Sequence, residues 1–213
     1  SIEYFNERPI ATQQTGFSFV AQMRSWLPNQ IGGILWFGVD DAAQNVYYPV
    51  YCGNTSVAEE MRVGNGDLLT FSWNSAFWIH NWVSNMVYGK YSYMIKDVEK
   101  VQRKLEESFR QQQPQIEKEA LQLYKKSKTE SIDYLTNYTN AQISNGISEW
   151  KKLGEYLLVK YIDGVVKKEE NGKFKRNPHG LPEFPSRPGY PEEYRRAVIR
   201  ETGDRYKVPE TTK

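Results

Sequence analysis

Hydrophobic positions change period twice along the chain. Between residues 10 and 51 apolar side chains come in short runs with turn residues between them. Gly33-Ile34-Leu35-Trp36-Phe37-Gly38-Val39 is apolar on both alternations, as a strand covered on both faces must be. Asp40-Asp41-Ala42-Ala43-Gln44-Asn45 is a turn-prone connector. Residues 46–51 read as a second strand, antiparallel to the first. Pro49 lacks an N–H for the ladder, which puts that strand at an edge or gives it a bulge. An earlier strand is expected over residues 10–15. Residues 18–27 fit a strand or the start of a helix, with a strand preferred over 18–24.

From residue 95 the period becomes helical. Ile95, Val98, Val101, Leu105 and Phe109 recur at three and four, with Lys96, Glu99, Lys100, Arg103, Lys104 and Glu107 on the opposite side. Pro114 is expected to stop this helix and to open the next in its first turn. Ile116, Ala120, Leu123 and Tyr124 continue the stripe. A third segment carries Ile132, Leu135, Tyr138, Ile143, Ile147, Trp150, Leu153 and Leu157. These stripes read as core. The last part is punctuated by X-Pro steps at Pro178, Pro182, Pro185, Pro188 and Pro191, which disfavour helix and sheet. Residues 191–198 can form a short helix, with proline and acids in the first turn, expected to dock at the end of a surface segment.

Composition sharpens this into three zones. Residues 1–95 hold five of the six tryptophans and carry a charge of about −3. Residues 96–163 are helical and nearly neutral. Residues 164–213 are a Pro-rich tail at about +4. The whole chain of 213 residues carries +2, which gives no polyanion-binding signature. No apolar run reaches the 18 residues a membrane helix needs. One cysteine, Cys52, excludes an internal disulfide. With His80 and His179 far apart, no metal-ligand cluster and no cofactor are expected.

Several residues invite chemistry. Cys52 could be a nucleophile, but no histidine stands in a partner motif, so a half-buried structural thiol is preferred. His80 lies among Phe77, Trp78, Ile79 and Trp82 and reads as a packed, hydrogen-bonded residue; His179 reads as solvated. Arg24, in FSFVAQMRSWLP (residues 17–28), must be paired or face a cleft, since an unpaired buried charge is too costly. A bidentate clamp on a carboxylate and an internal salt bridge to an acid of residues 1–95 weigh equally. In FSWNSAFW (residues 71–78), Asn74 either donates to a developing oxyanion or, preferably, caps a helix starting near Ser75. The Trp and Tyr richness could line a sugar platform, though core is the commoner use. The residues alone thus give an α+β domain with aromatic-rich strands, a helical appendage and no assembled active site.

Four local strings add a resemblance: RPIATQQTGFSFV (8–20), QMRSWLP (22–28), GGILWFGVDD (32–41) and VYYPVYCG (46–53). In order and spacing they resemble the dipeptidase A family of cysteine peptidases, in the N-terminal nucleophile hydrolase superfamily. The resemblance is densest over residues 8–95. It implies the C-terminal part of an αββα sandwich of antiparallel strands: core strands and loops in residues 1–95, a helical segment in 96–163, and a basic tail in 164–213. It implies hydrolysis of short peptides by an N-terminal cysteine whose own α-amine is the base. That chemistry needs a chain-terminal residue, so neither Cys52 nor Ser1, which opens a polar stretch, fits. The expectation is a fragment inactive by itself, partnered by the N-terminal part of the same parent, with no nucleic acid or membrane partner. Arg24 is the candidate supporting catalytic residue, and Trp26 and Asn74 are candidates for the substrate-cleft wall. The rival expectation is a non-catalytic binding or scaffold domain, for instance for carbohydrate through Trp and Tyr surfaces.

Overall fold

The computed structural model describes residues 9–209; residues 1–8, including Ser1, lie outside the described residues. The chain divides into two units, Ser1–Leu157 and Leu158–Lys213.

The first unit is α+β. Strand β1 (Phe17–Met23) leads through a single turn, α1 (Asn29–Gly32), to β2 (Gly33–Val39) and then β3 (Tyr48–Tyr51). Both pairings are antiparallel, in the order β1-β2-β3, with Phe17 opposite Val39 and Trp36 opposite Pro49. β3 is thus the edge strand that Pro49 requires. The strand expected over residues 10–15 is instead a turn. Thr15 N donates to Thr12 O (3.0 Å), and Thr12 N and Gln14 N donate to the Thr15 and Thr12 hydroxyls (3.1 and 3.2 Å). These local side-chain bonds compete with any ladder.

Helix α2 (Ala76–Tyr88) is capped by Ser75, whose Oγ accepts from Trp78 N. Two 34-residue helices follow, α3 (Tyr91–Tyr124) and α4 (Lys128–Tyr161), each about 50 Å long. Ser131 Oγ donates to Ala120 O (2.8 Å), Tyr134 Oη to Glu119 (2.6 Å), and Lys104 meets Glu149 (3.8 Å). Those pairs run in opposite directions, so the helices form an antiparallel hairpin. Pro114 does not end α3, which runs through it. Pro114 is exposed, so water can take up the carbonyl its missing N–H leaves behind. Buried Phe109 and Ala120 hold the helix on either side.

The core follows the stripes. Ile31, Ile34, Tyr51, Ala120 and Leu135 are fully buried, with Leu27, Trp36 and Ile116 packed on them. Burying one such aliphatic side chain stabilises the fold by roughly 1.5–3 kcal/mol. The helices therefore cover the sheet face that carries Ile34 and Trp36. That cover does not reach β1: Phe17, Phe19 and Met23 on the alternate face are 60, 53 and 72% exposed, and Val20, opposite Trp36, is 59% exposed.

The second unit contains the two-residue strands β4 (Glu169–Glu170) and β5 (Lys173–Phe174), joined by Asn171 and Gly172 with φ of 52° and 74°. That is the backbone a tight primed hairpin turn needs. Lys160 pairs with Glu169 at 2.7 Å. Helix α5 (Glu192–Thr202) starts after Pro191, as expected, but buries no side chain; Ile199 stays exposed. No helix among the described residues is long and apolar enough to cross a membrane.

Candidate functional site

Four polar residues stand on one face of α3: Glu106, Arg110, Gln113 and Glu117, spaced four, three and four. The first three, with Val20, Gln22 and Trp36 of the sheet and Tyr47 of the hairpin connector, enclose a groove of about 530 Å³. That volume lies within the usual range for small-molecule sites. The sheet side is fixed by Trp36 Nε1, which donates to Gln22 Oε1 (3.1 Å). Tyr47 N donates to Glu106 Oε1 (3.2 Å). Burial nevertheless pushes the Glu106 carboxyl above the usual carboxylate range, against the pull of the Tyr47 N–H and the Arg110 charge. Among the described residues Arg110 makes no ion pair.

Arg24 stands beside this groove, bound inward. Its Nη1 lies 2.6 and 2.7 Å from the two Glu117 oxygens. Nη2 donates to Ile31 O (2.9 Å) and Nε to Gly32 O (3.3 Å). Glu117 also accepts from Gln113 Nε2 (2.9 Å) and Tyr51 Oη (3.3 Å). Burial, with the Glu117 charge behind it, raises the Tyr51 hydroxyl pKa. The salt-bridge reading weighed for Arg24 is thus present, but its partner, Glu117, lies on α3 rather than among the acids of residues 1–95. Trp26 is 77% exposed. Asn74 is exposed too, and the cap of α2 is Ser75, one residue later, because Ser75 has the extended backbone and the accepting hydroxyl. No hydrogen bond, ion pair or ring contact among the described residues joins Arg24, Trp26 and Asn74.

Two carboxylates escaped the reading of residues 40–45 as a plain connector. Asp40 and Asp41 are both buried. Asp40, at φ 68°, accepts from Asn81 Nδ2 (2.9 Å) and Ser84 Oγ (2.6 Å). Asp41 accepts from Tyr88 Oη (2.5 Å) and Ala43 N (2.9 Å). Burial raises the Asp40 pKa even so, with both side-chain donors opposing it. The signal lay on α2: Asn81, Ser84 and Tyr88 share one helix face. These bonds tie the hairpin connector to α2 and orient Tyr47 towards α3.

Cys52 is exposed rather than half-buried. It lies in a second groove of about 560 Å³ with Leu35, Phe37 and Val50 on its sheet side. Its position just past β3 turns it out of the core. His80 is fully buried in α2, where its Nδ1 bonds Ala76 O (2.9 Å) and its ring stacks on Trp150 at 5.1 Å. It gives Cys52 no base. Among the tryptophans, Trp73 meets Phe71 and Trp82 edge-on, with Lys151 Nζ over its face at 5.0 Å. Among the described residues no group of three or more His, Cys, Asp or Glu could hold a metal.

An α+β unit with an antiparallel sheet, half covered by helices, is the class of protein defined so far. The model of peptidase family C69 matches residues 2–104, from before β1 into α3. That match shows the similarity to the dipeptidase A family and supports peptidase function in general. No curated protein matches the chain.

Proposed function

We propose that the chain is the C-terminal portion of a cysteine-type dipeptidase of the N-terminal nucleophile hydrolase superfamily, acting on short peptides. The observation that carries this is the outer strand of the sheet: β1 presents Phe17, Phe19, Val20 and Met23 to solvent. An open apolar sheet face is what one half of an αββα sandwich offers to its other half. The N-terminal part of the same parent is the partner of that face.

In this reading the nucleophile lies outside these 213 residues. A terminal cysteine thiol attacks the scissile carbonyl while its own α-amine takes the proton. The amine then protonates the leaving nitrogen, and water hydrolyses the thioester. Cys52 cannot do this: its nitrogen is an amide that donates to Gly33 O at 3.0 Å. Arg24 supports the cleft by holding Glu117, and Trp26 and Asn74 by their exposed side chains.

The test is hydrolysis of Xaa–Xaa substrates by the purified chain, alone and together with the separately produced N-terminal portion of its parent. The expected result is no turnover alone and turnover when combined. Turnover by the chain alone, lost on Cys52→Ser, overturns the proposal.

A further inference from the structure

The two edges of the three-stranded sheet are unlike. β3 carries Pro49, and Thr139 of α4 donates to the Pro49 carbonyl at 2.9 Å, so that edge is guarded. β1 has no such guard. Its sequence, FSFVAQM, holds no charge and no proline, and no bulge interrupts its register with β2. The pairs that flank the strand fix its hydrogen-bonding phase. Asp40 N donates to Gly16 O (2.9 Å) at one end, and Arg24 N donates to Gly32 O (3.1 Å) at the other. Bonded and non-bonded pairs alternate along an antiparallel ladder, so Ser18, Val20 and Gln22 are the residues that bond β2. Phe17, Phe19, Ala21 and Met23 therefore turn their N–H and C=O groups to the open side. Among the described residues no backbone bond from another element reaches them.

We propose that the open edge of β1 pairs with β1 of a second copy of this chain, antiparallel and centred on Val20. In that register Phe17 stands opposite the partner's Met23, and Phe19 opposite the partner's Ala21, so apolar meets apolar. Ser18 stands opposite the partner's Gln22, so polar meets polar on the other face. The bonded pairs fall on Phe17, Phe19, Ala21 and Met23, so each free N–H and C=O of one edge meets its complement on the other. A centre shifted to Phe19 or to Ala21 leaves Met23 or Phe17 without a partner in the strand. No charge opposes the contact: β1 carries none, and Arg24 at its end is held inward by Glu117 at 2.6 Å. A self-complementary strand is what a two-fold dimer requires, and here it joins two three-stranded sheets into one. The contact uses the edge of β1 and leaves the face of Phe17, Phe19 and Met23 open. The inference rests on that edge and not on the peptidase reading.

The experiment is sedimentation velocity of the full 213-residue chain, from micromolar to hundred-micromolar concentration. A reversible monomer–dimer equilibrium is expected. Val20 is 59% exposed, so the fold tolerates a charge there, yet in the dimer that charge stands directly opposite itself. Val20→Lys and Val20→Glu should each raise the dimer dissociation constant by about tenfold or more. An equimolar mixture of the two should restore dimers, because opposite charges then meet. Ala21→Pro removes an edge N–H without taking a bond from β2, and it should also leave the chain monomeric. A monomer at every concentration overturns the proposal, as does open-ended aggregation. So does a dimer that survives the Val20 changes, or a mixture that associates no more tightly than either variant. A dimer that dissolves when the separately produced N-terminal portion of the parent is added overturns it too, since the edge then belongs to that portion. None of these outcomes decides whether the parent hydrolyses peptides.

Discussion

Arg24 directs its charge inward, and this decides what its removal does. With Glu117 it forms a pair whose side chains are 10% and 13% exposed. Removing one member leaves a nearly buried charge without its counter-ion, which costs about 3 kcal/mol or more. Arg24→Ala should therefore lower the urea midpoint of the chain. Arg24→Ala combined with Glu117→Gln should cost less than the two singly, because the second change removes the orphaned charge. Equal and additive losses would show that the pair does not act as a unit. His80 gives a pH signature. Burial holds its pKa at about 4, below the ordinary 6.5 of an imidazole. Between those values the unfolded chain binds the proton and the folded chain does not, so stability falls as pH drops from 6.5 towards 4. The loss attributable to His80 is on the order of 3 kcal/mol. Asp40 and Glu106, with raised pKa, act in the opposite sense at the acid end. Chemical denaturation from about pH 7 to about pH 4 should show a steeper loss in the parent than in His80→Phe.

At the scale of elements, the long helices depend on what packs against them. α3 tolerates Pro114 because the proline faces water while Phe109 and Ala120 stay anchored. α4 contains Gly146, a poor helix former, where the Tyr48 ring of β3 presses on the helix: an added Cβ would fall within contact of its ring and 2.8 Å from its hydroxyl. Gly154 stands in the same relation to Trp82 of α2. Gly146→Ala should gain roughly 1 kcal/mol of helix propensity. It should lose about 1–3 kcal/mol to overpacking, a clash that Tyr48, fully buried, cannot relieve by moving outward. The net expectation is a lower melting temperature. A rise would mean that β3 is less tightly held than its burial implies.

For the whole molecule, the exposed apolar side chains of β1 matter most. The net charge of +2 does little to keep copies apart. With Phe17, Phe19 and Met23 exposed on one face, the chain should bind a hydrophobic dye and self-associate as its concentration rises. The double substitution Phe17→Ser, Phe19→Ser should lower both dye fluorescence and the sedimentation coefficient at high concentration. Dye binding unchanged by it would place the sticky surface elsewhere, for instance at Leu68 and Leu69, which are also exposed.

The sequence by itself determined the elements whose signal is local. β2 stands where the apolar run placed it, the hairpin is antiparallel with Pro49 at the edge, and the stripes of α3 and α4 are core, because side-chain period and missing N–H groups act within a few residues. It also carried the strings behind the similarity of residues 2–104 to peptidase family C69. Tertiary structure alone decided the rest. Whether Pro114 breaks a helix depends on which side meets water. Where Arg24 points depends on Glu117, 93 residues away. That Asp40 and Asp41 are buried depends on α2 folding back to supply their donors, and that Glu106 accepts a bond from Tyr47 N depends on the hairpin connector meeting α3. Each is a contact between segments distant in the chain, and no spacing along the chain encodes such a contact.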